Sequence, residues 1–176
     1  MGEGIKKENM RCYQYLEKYR EICEKIDHTE NRIQELRASM GSISSPRLDG
    51  MPHGSGDDRT SKVERQVLRV AAQEEKLERL KEQEQDLYWA LCDMLEKLPN
   101  PKHETVLSMR YLDGQPWQRV VFAVYAKELD EELADDEALI KRYTKRIFKD
   151  HGNALTSLEA IWADEWEGGE LEDYDP

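Results

Sequence analysis

Thr105-Val-Leu-Ser-Met-Arg-Tyr-Leu112, Asp113-Gly114, Pro116-Trp117 and Lys141-Arg-Tyr-Thr-Lys-Arg-Ile-Phe-Lys149 follow one another in the C-terminal half of this chain. The first run carries Val106, Leu107, Met109, Tyr111 and Leu112, the apolar side of a short helix. Gly114 can take the positive φ at which helices commonly end. Pro116 suits the first turn of a new helix, where its missing N–H costs nothing. Trp117, Val120, Val121 and Val124 continue a packed face, and Ile140, Ile147, Ala154, Leu155 and Leu158 hold a third, basic helix against the first two. A helix, a glycine stop, a proline-started helix and a basic helix is the order of a helix-turn-helix unit.

Working outward, the rest of the chain has the same helical grain. Ala, Leu, Glu, Lys, Gln and Arg dominate, and no stretch alternates polar with apolar residues, so the predicted class is all-α. Upstream, Leu16, Tyr19, Cys23, Ile26, Ile33, Leu36 and Met40 form a narrow seam at spacings of three and four, interrupted at Glu30. Val63, Val67, Val70, Leu77, Leu80, Leu87, Leu91, Met94 and Leu98 repeat it. Ser61-Lys-Val-Glu64 has the form of a capping box and marks the start of that second helix, while Pro99 ends it. Residues 41–60 hold four Gly and two Pro, a flexible connector. Two such helices fold back as a long antiparallel hairpin of coiled-coil type, or each seam pairs with another copy in a homo-oligomer. Glu30, Glu74 and Glu84 fall on or beside the seams and weaken the zipper. The predicted organisation is a helical hairpin over 1–98, a helix-turn-helix domain over 99–162 and a disordered acidic tail over 163–176.

Charge is segregated along the 176 residues. Net charge is −12, and 36% of residues are charged, above the roughly 25% of average globular chains, which suits long thin helices with much surface. Seven acids and no base lie in 163–176, and seven more (Glu128, Asp130, Glu131, Glu132, Asp135, Asp136 and Glu137) lie in the segment 126–137. Between these runs, Lys141, Arg142, Lys145, Arg146 and Lys149 face only Asp150. Lys141, Lys145 and Lys149 are spaced by four and share a helix face, with Arg142 and Arg146 in the adjacent row. Two readings follow. The run is a solvated face balanced by the preceding acids through intrahelical pairs, or it lies against phosphates while an arginine reaches a base edge. The tail likewise reads as a solubilising end or as a DNA mimic that occupies the basic helix.

Enzyme chemistry finds no support. His28, His53, His103 and His151 are scattered, and no H-E-x-x-H, P-loop or G-x-S-x-G occurs, so no catalytic residue, metal site or cofactor is expected. Cys12, Cys23 and Cys92 form no C-x-x-C pair and read as reduced thiols of a cytoplasmic protein. No signal peptide is visible and no apolar run approaches the roughly 20 residues of a membrane span.

The pattern Val106-Leu107 … Arg110-Tyr111 … Gly114 … Trp117 … Val120, later Ile147 … His151 … Ala154-Leu155 … Leu158, resembles sigma-factor region 4. It is similar, more closely, to small prophage proteins of the sigma-like transcriptional regulator family. The connector Ser44-Ser-Pro-Arg-Leu-Asp-Gly-Met-Pro-His-Gly54 resembles the linker of that family. The resemblance implies a non-enzymatic regulator that binds double-stranded promoter DNA in the cytoplasm of a bacterial host and contacts host RNA polymerase. It places Lys145, Arg146 and Lys149 on the recognition helix, with Lys141 and Arg142 just upstream. Two features depart from the family pattern: the acidic segment 126–137 where a turn of about 3–4 residues is usual, and Val121 where a small residue is preferred. The second reading from the residues is a coiled-coil structural or packaging adaptor that does not bind DNA.

Overall fold

The computed structural model describes residues 10–41, 57–131 and 137–166 of the chain, and side chains over 10–40, 63–129 and 141–164. Every described element is a helix: α1 (Arg11–Gly41), α2 (Asp57–Glu96), α3 (Pro101–Leu107), a π-helical segment (Ser108–Leu112), α4 (Trp117–Val124), α5 (Ala126–Glu131) and α6 (Glu137–Trp166). No strand occurs among the described residues, so the all-α class holds.

Several boundaries differ from the sequence reading for local reasons. Helix α2 starts at Asp57, one turn before the Ser61 capping box, since Gly56 is the last helix breaker before it. Helix α3 starts at Pro101 rather than near Thr105. Asn100 takes an extended conformation and its Oδ1 accepts the Lys102 N–H at 3.0 Å, with Pro101 fitting the first helical position. Helix α6 runs to Trp166 and so includes four residues assigned to the tail; the breaker Gly168-Gly169 stands just beyond. Most of the connector, positions 42–56, and the end of the tail, 167–176, lie outside the described residues. So do 132–136 of the acidic segment, whose described residues form α5 and, at Glu137, the start of α6.

The chain divides into two compact units, one of residues 22–85 and one of 1–21 with 86–176. In the first, Ile22, Thr29, Ile33 and Val70 are buried. Thr29 fills the seam position that the spacing left vacant beside Glu30, and its hydroxyl donates to the Lys25 carbonyl at 2.7 Å, which removes the cost of burying it. Two of the seam carboxylates meet cations: Glu30 meets Lys81 at 2.6 Å, and Glu74 meets Arg37. Gln66 donates to Ser39 at 3.0 Å. These contacts run in opposite chain order along α1 and α2. Val63 and Val67, seam positions by spacing, are 41% and 48% exposed. Ser39 already meets Gln66 near the end of α1, so little of that helix is left to cover them.

In the second unit, α6 packs against α3 and α4. Val106, Val120, Val121, Tyr125, Leu129, Tyr143 and Ile147 form a continuous core. Leu129 anchors α5 in it, an apolar residue inside an otherwise acidic stretch. Sequence segmentation divides the chain after Leu98, whereas packing groups 86–98 and the start of α1 with the C-terminal helices. The contact at the start of α1 is specific. Glu159 of α6 accepts the Arg11 N–H through Oε1 at 3.1 Å and the Cys12 N–H through Oε2 at 2.9 Å. A carboxylate thus satisfies two of the N–H groups that a helix start leaves without partners. Cys12 is buried there, and its thiol donates to the Leu155 carbonyl at 3.5 Å.

Candidate nucleic-acid interface

Helix α6 has two sharply different sides. Tyr143, Ile147, His151, Ala154, Leu155, Leu158 and Trp162 are buried, at intervals of one, three and four that define one stripe. Lys141, Arg142, Lys145, Arg146 and Lys149 are all exposed. The structure therefore brings the five sequence-predicted cations to exposed positions of one helix, outside its buried stripe. Their spacing covers about two turns, or roughly 12 Å of helix.

The two rows differ in their support. Arg142 lies 5.6 Å from the Tyr143 ring centre, and Arg146 lies 5.4 Å from Tyr125 and 5.8 Å from Tyr143. Tyr125 and Tyr143 pack together at 4.9 Å between centres. Guanidinium groups over ring faces gain about 0.5–1 kcal/mol at exposed sites and lose some side-chain freedom. Lys145 and Lys149 make no ion pair among the described residues. Arg142 and Arg146 are thus braced by aromatic rings, while Lys145 and Lys149 project into solvent.

Asp150, the one acid in this run, is neutralised on the inner side. Lys102 of α3 meets its Oδ2 at 2.7 Å, and the Tyr125 hydroxyl donates to the same oxygen. The Lys102 ammonium also lies 4.1 Å from the Tyr125 ring centre. Burial works against the charged carboxylate, but the hydrogen bonds from Lys102 and Tyr125 outweigh it and hold Asp150 below the usual carboxylate range. For Lys102, burial is outweighed in the same way by Asp150, which holds the ammonium above its ordinary value. Tyr125 is pushed up by burial and by its bond to Asp150. Asp150 is thus engaged by Lys102 and Tyr125 on the inner side of α6.

A second brace sets the other flank of α6. The Tyr111 hydroxyl and His151 Nε2 are hydrogen-bonded at 3.0 Å, and both side chains are buried. Trp117 packs edgewise on His151 at 5.1 Å and on Phe148 at 5.0 Å. Arg110 lies 5.0 Å from the Trp117 ring centre and donates to the Gln115 carbonyl at 3.1 Å. That bond ties down the turn between the π-helical segment and α4. In the same turn, the Asp113 N–H donates to Ser108 at 3.0 Å and the Gln115 N–H to Met109 at 2.8 Å. Gly114 takes φ 63°, the left-handed region a side chain disfavours.

Lys102, Tyr125, Arg110 and Trp117 support the basic face, yet sequence reasoning named none of them for that role. Their partners lie far along the chain or around a turn, where spacing carries no signal. The acidic segment contributes Glu128, exposed on α5, as its one described acidic side chain. Among the described residues no group of His, Cys, Asp and Glu is arranged to hold a metal ion, and no helix is long and apolar enough to cross a membrane. No protein-family model matches the chain, and no curated protein or solved structure matches it either.

Proposed function

We propose that this chain is a DNA-binding transcriptional regulator of phage type. In this reading α3, α4 and α6 form a sigma-region-4-like helix-turn-helix, and the basic side of α6 lies against duplex DNA. Helices α1 and α2 form an antiparallel hairpin of coiled-coil type, and host RNA polymerase is a second partner. The observation that carries the reading is the exposure of Lys141, Arg142, Lys145, Arg146 and Lys149 on one side of a helix whose other side is buried. A rigid helix with cations on its outer face matches the regular spacing of phosphates, and its diameter fits the major groove. The inward pairing of Asp150 strengthens the argument, because it removes the nearest repulsive charge.

A coiled-coil adaptor is the second reading, favoured by Leu68 and Trp89, large apolar residues of α2 that are 63% and 60% exposed. Titration of labelled duplex DNA across a salt series separates the two. Phosphate contacts release counterions, so each neutralised phosphate contributes about −0.9 to the slope of log affinity against log salt. Four or five contacts give a loss on the order of a hundredfold or more between 50 and 200 mM salt. Replacing Lys145 and Lys149 with Gln should reduce that slope by about two. Absence of binding at low salt would reject the regulator and leave the adaptor.

A further inference from the structure

Phe148 stands out within the basic side of α6. It is 48% exposed, one helical turn from Lys145 in one direction and from Gly152 in the other. An exposed aromatic residue is ordinary by itself, but two further observations set this one apart. Trp117 packs against it edge to face, with ring centres 5.0 Å apart, so the ring is braced rather than loose. Gly152 then follows in the middle of a 30-residue helix. A Cβ added at Gly152 would meet nothing within 4 Å, so packing inside the chain does not require glycine there. Glycine in a helix interior is unfavourable relative to alanine. What its missing side chain does provide is open access to the helix backbone beside the exposed ring.

We infer that Phe148 is a sequence-reading residue whose ring meets thymine methyl groups in the major groove, with Gly152 leaving room for the base pair to approach. This rests on the reading of α6 as a DNA-contacting helix and adds the base chemistry it selects. The surrounding charge supplies the argument for the occupant. Lys145 and Lys149, exposed three residues before Phe148 and one after it, favour a polyanion, while the ring itself offers no hydrogen bond. Of the groups exposed in the major groove, the thymine C5-methyl is the one an apolar ring can recognise. Cations fix the helix on the backbone, and the aromatic contact selects A·T pairs.

The test uses the full chain and two short labelled duplexes of alternating dA and dT, identical except that deoxyuridine replaces thymidine in one. The pair differs in the C5-methyl groups. Wild type should bind the thymine duplex roughly fourfold tighter, the order expected for one buried methyl group. In Phe148→Ala the two affinities should become equal with the salt slope unchanged. Lys145→Gln should weaken both and keep their ratio. Gly152→Ala should melt at a higher temperature yet lose the thymine preference, a combination that also serves if Phe148→Ala fails to fold. Salt-dependent binding of both duplexes with equal affinity, or a preference that survives in Phe148→Ala or Gly152→Ala, would overturn the inference while leaving DNA binding intact. No binding to either duplex at low salt would remove the DNA reading and this inference with it.

Discussion

Asp150 lies at the end of a run of cations and is itself matched by Lys102 from another helix. Its effect on stability follows from the direction of its shift. The folded-state value lies below the ordinary carboxylate value of 3.8, so the unfolded chain takes up the proton first as pH falls. The stabilisation is therefore complete above that ordinary value and is lost as pH falls through the folded one. Asp150→Asn should cost about 1–2 kcal/mol at neutral pH, because it leaves the Lys102 ammonium without its partner in a partly buried place. In urea melts, the gap between variant and wild type should be full at pH 7 and close below pH 3.8. A gap of constant size across that range would mean that the altered hydrogen bonding to Lys102 and Tyr125, not the charge, sets the cost.

At the scale of the helix, Glu159 joins two elements that are far apart in sequence. Its carboxylate caps the start of α1 from within α6, through separate oxygens to Arg11 and Cys12. No acid occupies the first turn of α1 itself. Glu159→Gln keeps one oxygen acceptor, removes the charge and turns the other group into a donor facing an N–H. The expected loss is about 1 kcal/mol, within the range for capping contacts. Glu159→Ala should lose more, and amide hydrogen exchange should accelerate at Arg11 and Cys12 ahead of the middle of α1. Equal exchange in both variants and wild type would show that neighbouring contacts, such as Tyr15 on Trp162 at 4.7 Å, hold the helix start unaided. This cap also shows which parts of the molecule were legible in the sequence. The cation rows and the buried stripe of α6 repeat at three and four residues, so local spacing displays them. Gly114 was legible too, because glycine after an apolar helix has a specific backbone meaning. Glu159 looks like any surface acid, and Lys102 like any surface base, until folding brings each beside a partner. Thr29 escaped notice for another reason: its polarity hides a seam position that a single backbone-directed hydrogen bond makes tolerable. Leu129 was masked by the acids around it, although its burial fixes α5 in the core.

For the whole molecule, the distribution of charge sets how DNA would be met. A net charge of −12 opposes a polyanion at long range, yet the cations of α6 act at contact distance, where local charge prevails over the average. Salt tips this balance in a testable way. Positions 167–176 contain five acids and no base. If these compete with phosphate for the basic side of α6, a chain ending at Trp166 should bind duplex DNA several-fold more tightly at low salt. The gain should shrink as salt rises toward physiological strength, where the screening length falls to about 8 Å. A chain in which the same acids are replaced by Asn and Gln should reproduce that pattern without shortening the protein. Agreement of the truncated and neutralised chains would assign the effect to charge. A gain confined to the truncated chain would instead point to bulk at the end of α6, and an unchanged affinity in both would reject competition by the tail.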